Sequence, residues 1–242
     1  MELGYRLEEF VVGSEISPER LHSILLARGV RGLLLPPHSA GLTLGTFDWS
    51  QFSIVRLGLS VPEPRAHAVV CDQSDCGSLA YSQVHALGYR RIGFVSSPRF
   101  DRNTRGNFRA GILRAHADLT VPADRVEPLL IDEGPGQAPV TDLRQWLATA
   151  RPDAVLTSHP ALRSLLAKLG VRVPRDLAVA TTSVLDGNFP AGIDQNCREI
   201  GAVALRTLAG LIHQNERGVP AVMRRILVEG RWVDGPSLPP RV

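Results

Sequence analysis

Few residues in this 242-residue sequence have the types and spacings that catalysis or metal binding requires. The seven histidines and three cysteines show no metal-ligand spacing, and no C-x-x-C pair occurs. The sequence also lacks the phosphate-binding G-x-x-x-x-G-K-[ST], the nucleophile elbow G-x-S-x-G and the zinc motif H-E-x-x-H. Cys71 follows a predicted strand; a small buried side chain is the favoured interpretation, and a reactive thiolate is the alternative. We therefore predict no catalytic residues, no metal site and no cofactor.

Polar and aromatic side chains in the loops that follow predicted strands are the remaining candidates for chemistry. In open α/β sheets, ligands bind where the carboxyl ends of the strands meet. Loop residues held by rigid elements suit the recognition of a small hydroxylated molecule. For each residue the alternative is an ordinary solvent-exposed loop position, and the sequence leaves both interpretations open. The candidate binding residues are Trp49, Asp72, Asp101, Arg105, His159 and Asp186.

The elements that must position these residues alternate between short apolar runs and amphipathic segments. Ser17 followed by Pro18 is typical of a helix start, and Gly29 ends that helix. This alternation predicts an α/β protein with parallel sheets flanked by helices, arranged as two α/β layers rather than one large sheet. Strands are predicted at residues 5–12, 32–35, 53–57, 66–71, 91–96, 126–131, 154–157, 177–182 and 223–228. Further helices are predicted at residues 74–87, 103–117, 140–150, 161–169 and 197–215.

Composition and charge exclude several classes of protein. The hydrophobic content of 44% is ordinary for a globular protein, and the net charge of +3 is not concentrated in a basic run that would suit nucleic acid. Residues 1–10 lack the apolar segment of a signal peptide, and no stretch approaches the ~18 apolar residues of a membrane span. Three cysteines cannot all pair with one another, which indicates reduced thiols. We therefore expect a cytoplasmic protein without a membrane partner.

Several segments resemble the LacI/GalR family of bacterial transcription regulators. Each match is weak alone, but together they keep the family's order and spacing over nearly the whole chain. The end of the chain, residues 226–238, resembles the family's closing strand loosely. The matching segments read ARGVRGLLLPP at 27–37, LGYRRIGF at 87–94, RPDAV at 151–155, LGVRVPRDL at 169–177 and EIGAVA at 199–204.

The resemblance implies a two-lobed core of the periplasmic binding protein type I kind. The N-terminal lobe would comprise residues 1–89 and 187–218, and the C-terminal lobe residues 90–186 and 219–242. Three crossings between such lobes permit hinge closure around a ligand. Residues 2–5 resemble a family segment that follows the first strand–helix unit. The N-terminal lobe is therefore expected to lack that unit, and the chain to lack the helix-turn-helix headpiece.

The resemblance also implies a ligand-sensing function. Such a core binds a small polar effector, here expected to be a sugar or a derivative, between its lobes. It forms a homodimer and reaches operator DNA only through the headpiece. The alternative is a periplasmic-type solute-binding protein for transport, against which the absence of a signal peptide argues.

The family's effector contacts fall on unlike residues in this sequence. A helix arginine that holds the effector falls on Phe108, which cannot form charge-assisted hydrogen bonds with hydroxyl groups. An Asn-Asp pair of the family falls on His159 and Pro160, and a later acidic residue falls two positions before Asp186. Two interpretations are open: the pocket binds a different ligand, or Arg105, His159 and Asp186 serve instead.

Overall fold

The structure is a computed structural model that describes residues 4–10, 16–37, 45–60, 63–119, 121–134 and 136–241. Its strands are β1 (Gly32–Leu35), β2 (Ser53–Leu57), β3 (His67–Cys71), β4 (Ile92–Ser96), β5 (Leu129–Leu130), β6 (Ala154–Thr157), β7 (Ala178–Thr181), β8 (Gly192–Asp194), β9 (Arg225–Val228) and β10 (Arg231–Val233). Its helices are α1 (Pro18–Ala27), α2 (Gln73–Ala86), α3 (Pro98–Asn103), α4 (Asn107–Leu119), α5 (Ala138–Ala150), α6 (Leu162–Lys168) and α7 (Cys197–His213). Within the described ranges, no helix is both long and apolar enough to cross a membrane.

Contacts divide the chain into two compact units, Met1–Val70 with Arg198–Leu227 and Cys71–Cys197 with Val228–Val242. Each unit has its own sheet. Helix α2 belongs to the second unit because it packs along α4. The lobe boundaries expected from the resemblance, which place α2 in the N-terminal lobe, stay a prediction.

The first unit has a four-stranded sheet in the order β1-β2-β3-β9, and β2 pairs in parallel with both β1 and β3. Helix α1 begins as predicted, with the backbone N–H of Arg20 donating to the Ser17 hydroxyl at 3.3 Å. Leu21 and Leu25 lie one turn apart and are buried in a cluster that includes Phe52. The core of this unit therefore lies between α1 and the sheet.

The strand predicted at residues 5–12 is not present in the part of it that the structure describes, residues 5–10, and residues 11–12 lie outside the described ranges. The side chains of Tyr5 and Leu7 are 37% and 74% exposed, so their alternation with polar residues does not mark a buried face. The segment is attached through side chains instead. The Glu8 carboxylate pairs with Arg28, and the Tyr5 ring meets the edge of His213.

The second unit has a six-stranded sheet in the order β10-β8-β7-β6-β4-β5. Neighbouring strands from β5 to β8 run parallel, and β10 runs antiparallel to β8. Strands β4, β6 and β7 are buried along their whole length, as expected for parallel strands covered on both faces. The two short strands β8 and β10 were not predicted, because neither has a clear apolar alternation.

The helix predicted at residues 103–117 begins four residues later, as α4, and the short helix α3 that precedes it was not predicted. Helix α3 ends because Arg105 and Gly106 both adopt left-handed backbone conformations, with φ of 55° and 69°. The Gly106 N–H then donates to the Asp101 carbonyl at 2.8 Å, which closes the last turn. The turn directs α4 along α2.

The Asp153 carboxylate holds the start of β4 beside the start of β6. Its oxygens accept the backbone N–H groups of Arg90 and Arg91, both at 3.1 Å, and the guanidinium of Arg241 at 2.6 Å. Only 17% of the Asp153 side chain is exposed. Removal of this carboxylate leaves two backbone donors near the sheet without their acceptor.

We predict that Asp153→Ala lowers the free energy of unfolding by about 1–3 kcal/mol, the cost of unpaired donors. Urea unfolding followed by circular dichroism measures this change. The matched control is Asp142→Ala, which removes an exposed carboxylate from α5 and should change the value by less than about 0.5 kcal/mol. Equal free energies of unfolding for the two variants would show that the hydrogen bonds of Asp153 do not stabilise the fold.

Candidate functional site

A cavity of about 430 Å³ lies in the second unit at the carboxyl ends of β6 and β7. This is the end of a parallel sheet at which α/β proteins bind ligands, and the volume suits a small molecule. Loops after β4, β5, β6 and β7 all contribute to it. The lining residues are Phe100, Glu133, Ser158, His159, Pro160, Thr181, Asp186 and Asn188.

His159 lies in the loop after β6, and only 1% of it is exposed. The backbone N–H of Ala161 donates to Nδ1 at 3.2 Å, so this nitrogen carries no proton. The other nitrogen, Nε2, therefore carries the proton and donates to the Asp132 carbonyl at 3.3 Å. Burial lowers the pKa of His159, which keeps the ring neutral. The imidazole thus fastens the loop after β6 to the loop after β5.

Two hydroxyl groups continue the lining from β6 and β7. The Ser158 Oγ lies 2.6 Å from the Ser96 Oγ at the end of β4, a hydrogen bond that joins neighbouring strand ends. The Thr181 hydroxyl donates to the Thr157 carbonyl at 3.3 Å and accepts the Ser183 N–H at 3.3 Å. The Ser158 hydroxyl is held by Ser96 and the Thr181 hydroxyl by the backbone, so both have fixed positions in the lining.

Glu133 follows β5 and was not among the candidate residues. Its carboxylate accepts the hydroxyl of Ser97, which itself caps α3 by accepting the Phe100 N–H at 3.0 Å. The Arg99 guanidinium lies 3.7 Å from the other carboxylate oxygen. Glu133 follows the strand predicted at residues 126–131, so the strand-end signal used for the other candidates could have identified it.

Asp186 and Asn188 line the far side of the cavity, after β7. A short 3-10 helix ends at Asp186, and Gly187 turns the chain with φ of 69°. The Asn188 carbonyl accepts the guanidinium of Arg163, whose carbon lies 4.8 Å from the centre of the Phe189 ring. The loop is therefore anchored at Asn188, while Asp186 is exposed at the rim.

Phe100 forms the aromatic wall of the cavity, and Phe108 stands behind it. The two ring centres are 5.9 Å apart, and Phe108 is 1% exposed. The position at which the resemblance places an effector-holding arginine is thus a packing position in this chain. The aromatic surface available to a ligand comes from Phe100.

Of the six candidate residues, the structure brings His159 and Asp186 together in this lining, and the other four lie outside it. Asp101 pairs with Arg109 at 2.9 Å, and Arg105 is exposed in the turn after α3. Their predicted roles in binding stay predictions.

The remaining two candidates have structural contacts of their own. The Asp72 carboxylate caps α2 by accepting the Asp75 N–H at 3.0 Å. Trp49, in the first unit, packs its ring 4.4 Å from that of Phe47. An N-cap and an aromatic packed against the core have the same residue types as ligand contacts, so the predicted roles of Asp72 and Trp49 in binding stay predictions.

The lining is rich in hydrogen-bond acceptors. Glu133 and Asp186 supply carboxylates, and none of the described lining residues is a lysine or arginine. Within the described residues, no group of three His, Cys, Asp or Glu side chains could hold a metal ion. The arrangement suits a ligand that donates hydrogen bonds, such as a polyol.

Comparison with known proteins agrees with this architecture. The family model described as "Periplasmic binding protein-like domain" matches residues 81–238. No curated protein matches the chain in sequence.

Solved structures of transcription regulators have the same fold. A transcription regulator-like protein from Staphylococcus haemolyticus is 18% identical, with a TM-score of 0.64 over 92% of this chain and 80% of that one. A LacI family regulator from Enterococcus faecium with bound ribose is 19% identical, with a TM-score of 0.64 over 93% and 85%. A complex of the regulator CelR with cellobiose is 21% identical, with a TM-score of 0.60 over 91% and 69%.

These findings confirm the predicted α/β fold and the predicted resemblance to LacI-type cores. The likeness to the solved structures shows a shared fold, and the family match covers more than half of the chain. The chain therefore belongs to the family of periplasmic binding protein-like domains.

Proposed function

We propose that the chain is the effector-binding domain of a LacI/GalR-type transcriptional regulator and that its effector is a neutral sugar or sugar derivative. The observation that carries the proposal is the cavity at the carboxyl ends of β6 and β7, with its hydroxyl, amide and carboxylate lining. Support comes from two regulators of the same fold, whose structures contain ribose and cellobiose.

The charges of the lining favour a neutral sugar over a phosphorylated or acidic one. Glu133 and Asp186 accept hydrogen bonds from hydroxyl groups, and charge-assisted bonds of this kind are about twice as strong as neutral ones. The Asp186 carboxylate would repel a phosphate or carboxylate, whereas the charge of Glu133 is offset by Arg99 at 3.7 Å. The ring of Phe100 offers an apolar surface to the C–H face of a sugar.

In a regulator, the effector acts by shifting a conformational equilibrium that DNA binding shares. A sugar that binds one conformation more tightly than the other shifts the equilibrium toward that conformation. The largest change in operator affinity that it can cause is set by the ratio of the sugar's affinities for the two conformations. We propose that this chain works in that way within a homodimer, and that it binds without catalysing a reaction. A regulator of this kind would act in the cytoplasm, the location expected from the sequence.

A thermal-shift screen tests the proposal. The panel contains neutral pentoses, hexoses and disaccharides, together with their phosphates and sugar acids. A neutral sugar at ~100 times its Kd should stabilise the protein by about 2.7 kcal/mol. Stabilisation by phosphorylated or acidic sugars alone would contradict the assignment of ligand class, and the absence of any stabilising sugar would overturn the proposal.

Asp186→Asn should weaken binding of the sugar found in that screen by about tenfold, which corresponds to the loss of one charge-assisted hydrogen bond. Isothermal titration calorimetry measures the change. The matched control is Asp118→Asn, an equal change of charge at an exposed position of α4. Equal affinities of the two variants would show that Asp186 does not contact the sugar.

A further inference from the structure

All three cysteines lie in the second unit, and two of them are in contact. Cys71 is the last residue of β3, and Cys76 lies in the first turn of α2. Their sulfur atoms are 3.1 Å apart, and the residues are only 4% and 1% exposed. A disulfide needs a separation of about 2.0 Å, so the two sulfur atoms have to approach by about 1 Å.

We propose that the turn between β3 and α2 is a redox modification site, at which a peroxide converts Cys71 and Cys76 into an intramolecular disulfide. The close approach of the two sulfur atoms carries this proposal, because a disulfide forms only where two cysteines already lie within reach of each other. The chain passes from the first unit to the second at Cys71, so the bond would tie that crossing segment to α2.

Cys76 is the nucleophile of the pair. It lies at the amino end of α2, where the helix dipole stabilises a thiolate. The Cys71 thiol and the backbone N–H of Gly230 donate to its sulfur and lower the pKa of Cys76, against the opposing effects of burial and of the Asp72 and Asp75 carboxylates, whereas the pKa of Cys71 is raised. A Cβ at Gly230 would lie 2.5 Å from that sulfur, so only glycine allows the backbone to approach it.

The reaction proceeds in two displacements. The Cys76 thiol releases its proton, the thiolate attacks one oxygen of hydrogen peroxide and the O–O bond breaks, so that a sulfenic acid forms and the departing hydroxide takes up the released proton as water. The Cys71 sulfur then attacks the Cys76 sulfur, and the S–O bond breaks. The departing hydroxide takes the Cys71 proton as water. Two thiols are thereby oxidised by two electrons, and one peroxide is reduced to two waters.

Cys197 provides the internal control because it is the exposed cysteine. Partial burial and the nearby carboxylates of Asp194 and Asp186 raise the pKa of Cys197, so it forms little of the reactive thiolate. Digestion with trypsin also places Cys197 on a different peptide from Cys71 and Cys76. Cys71 and Cys76 share the peptide of residues 66–90, and Cys197 lies in the peptide of residues 176–198.

The experiment exposes the folded full chain to hydrogen peroxide, alkylates the remaining thiols and analyses a non-reduced tryptic digest by mass spectrometry. We expect the peptide of residues 66–90 to lose two hydrogen atoms and to escape alkylation, and dithiothreitol to reverse both changes. The number of free thiols should fall from three to one. A peptide that stays fully alkylated, or that carries sulfinic acid at Cys76, overturns the proposal.

Variants distinguish the pair from other cross-links. Cys197→Ser should leave the disulfide unchanged, whereas Cys71→Ser and Cys76→Ser should each abolish the loss of two hydrogen atoms. A disulfide that joins residues 66–90 to residues 176–198 would overturn the assignment. If a variant fails to fold, the digest of the oxidised wild-type protein alone still shows whether the disulfide forms.

Discussion

Gly111→Ala is expected to lower the free energy of unfolding by about 2–4 kcal/mol. Gly111 lies on the face of α4 that packs against α2, where a Cβ would stand 1.9 Å from the carbonyl oxygen of Ser74. The facing Gly77 on α2 is also too close for a side chain, because its Cβ would lie 2.4 Å from the Phe108 carbonyl oxygen. The atoms that the added Cβ would meet are backbone atoms in both cases. A side-chain rotation therefore cannot relieve the clash, and the two helices have to move apart.

This close packing also contains a hydrogen bond that separation of the helices would break. The Ser78 hydroxyl on α2 donates to the Gly111 carbonyl at 2.9 Å, and the Arg114 guanidinium donates to the same hydroxyl at 2.8 Å. The gain in helix propensity from glycine to alanine, about 0.5–1 kcal/mol, is too small to offset the clash.

The matched control is Gly201→Ala in α7, where nothing lies within 4 Å of the added Cβ. This variant should be unchanged or more stable by about 0.5–1 kcal/mol, because only the helix propensity changes. Urea unfolding of both variants measures the difference. If Gly111→Ala were as stable as Gly201→Ala, the two helices would not be in backbone contact.

Stability is expected to fall as the pH drops below about 6.5, by up to about 1.4 kcal/mol per pH unit for each buried neutral histidine. His116 and His159 are 6% and 1% exposed, and burial lowers the pKa of both. Arg125 lowers the pKa of His116 further. A histidine in the unfolded chain has a pKa near 6.5. Below that pH the unfolded chain binds protons at these two histidines and the folded chain does not, so acid favours unfolding. Above that pH both states are neutral, and the full stability is present.

His116→Leu tests this linkage. The His116 Nε2 has no hydrogen-bond partner in the described part of the chain, and the ring packs 5.5 Å from that of Tyr81, so a leucine keeps the apolar contact. Urea unfolding between pH 7 and pH 5, where carboxylates with pKa values near 4 stay ionised, should show a smaller loss of stability than in the wild type. An unaltered dependence in His116→Leu would contradict the linkage.

Local signals were sufficient to predict most of the framework. The serine–proline start of α1 and the apolar runs of β4, β6 and β7 act within a few residues of the chain, so the sequence indicated those elements directly. Arg105 was different. A left-handed arginine is uncommon, so the sequence did not indicate the turn before α4, and the short helix α3 was not predicted.

The sequence by itself determined the alternation of strands and helices, and with it the parallel sheets, because periodicity is a property of neighbouring residues. It also placed the candidate site at strand ends, since that edge follows from parallel topology. Only the tertiary structure decided which polar side chains share the cavity. Asp72 and Asp186 both follow strands, yet one caps a helix and the other lines the cavity. The partners of each carboxylate come from distant segments, and these are brought together only by folding.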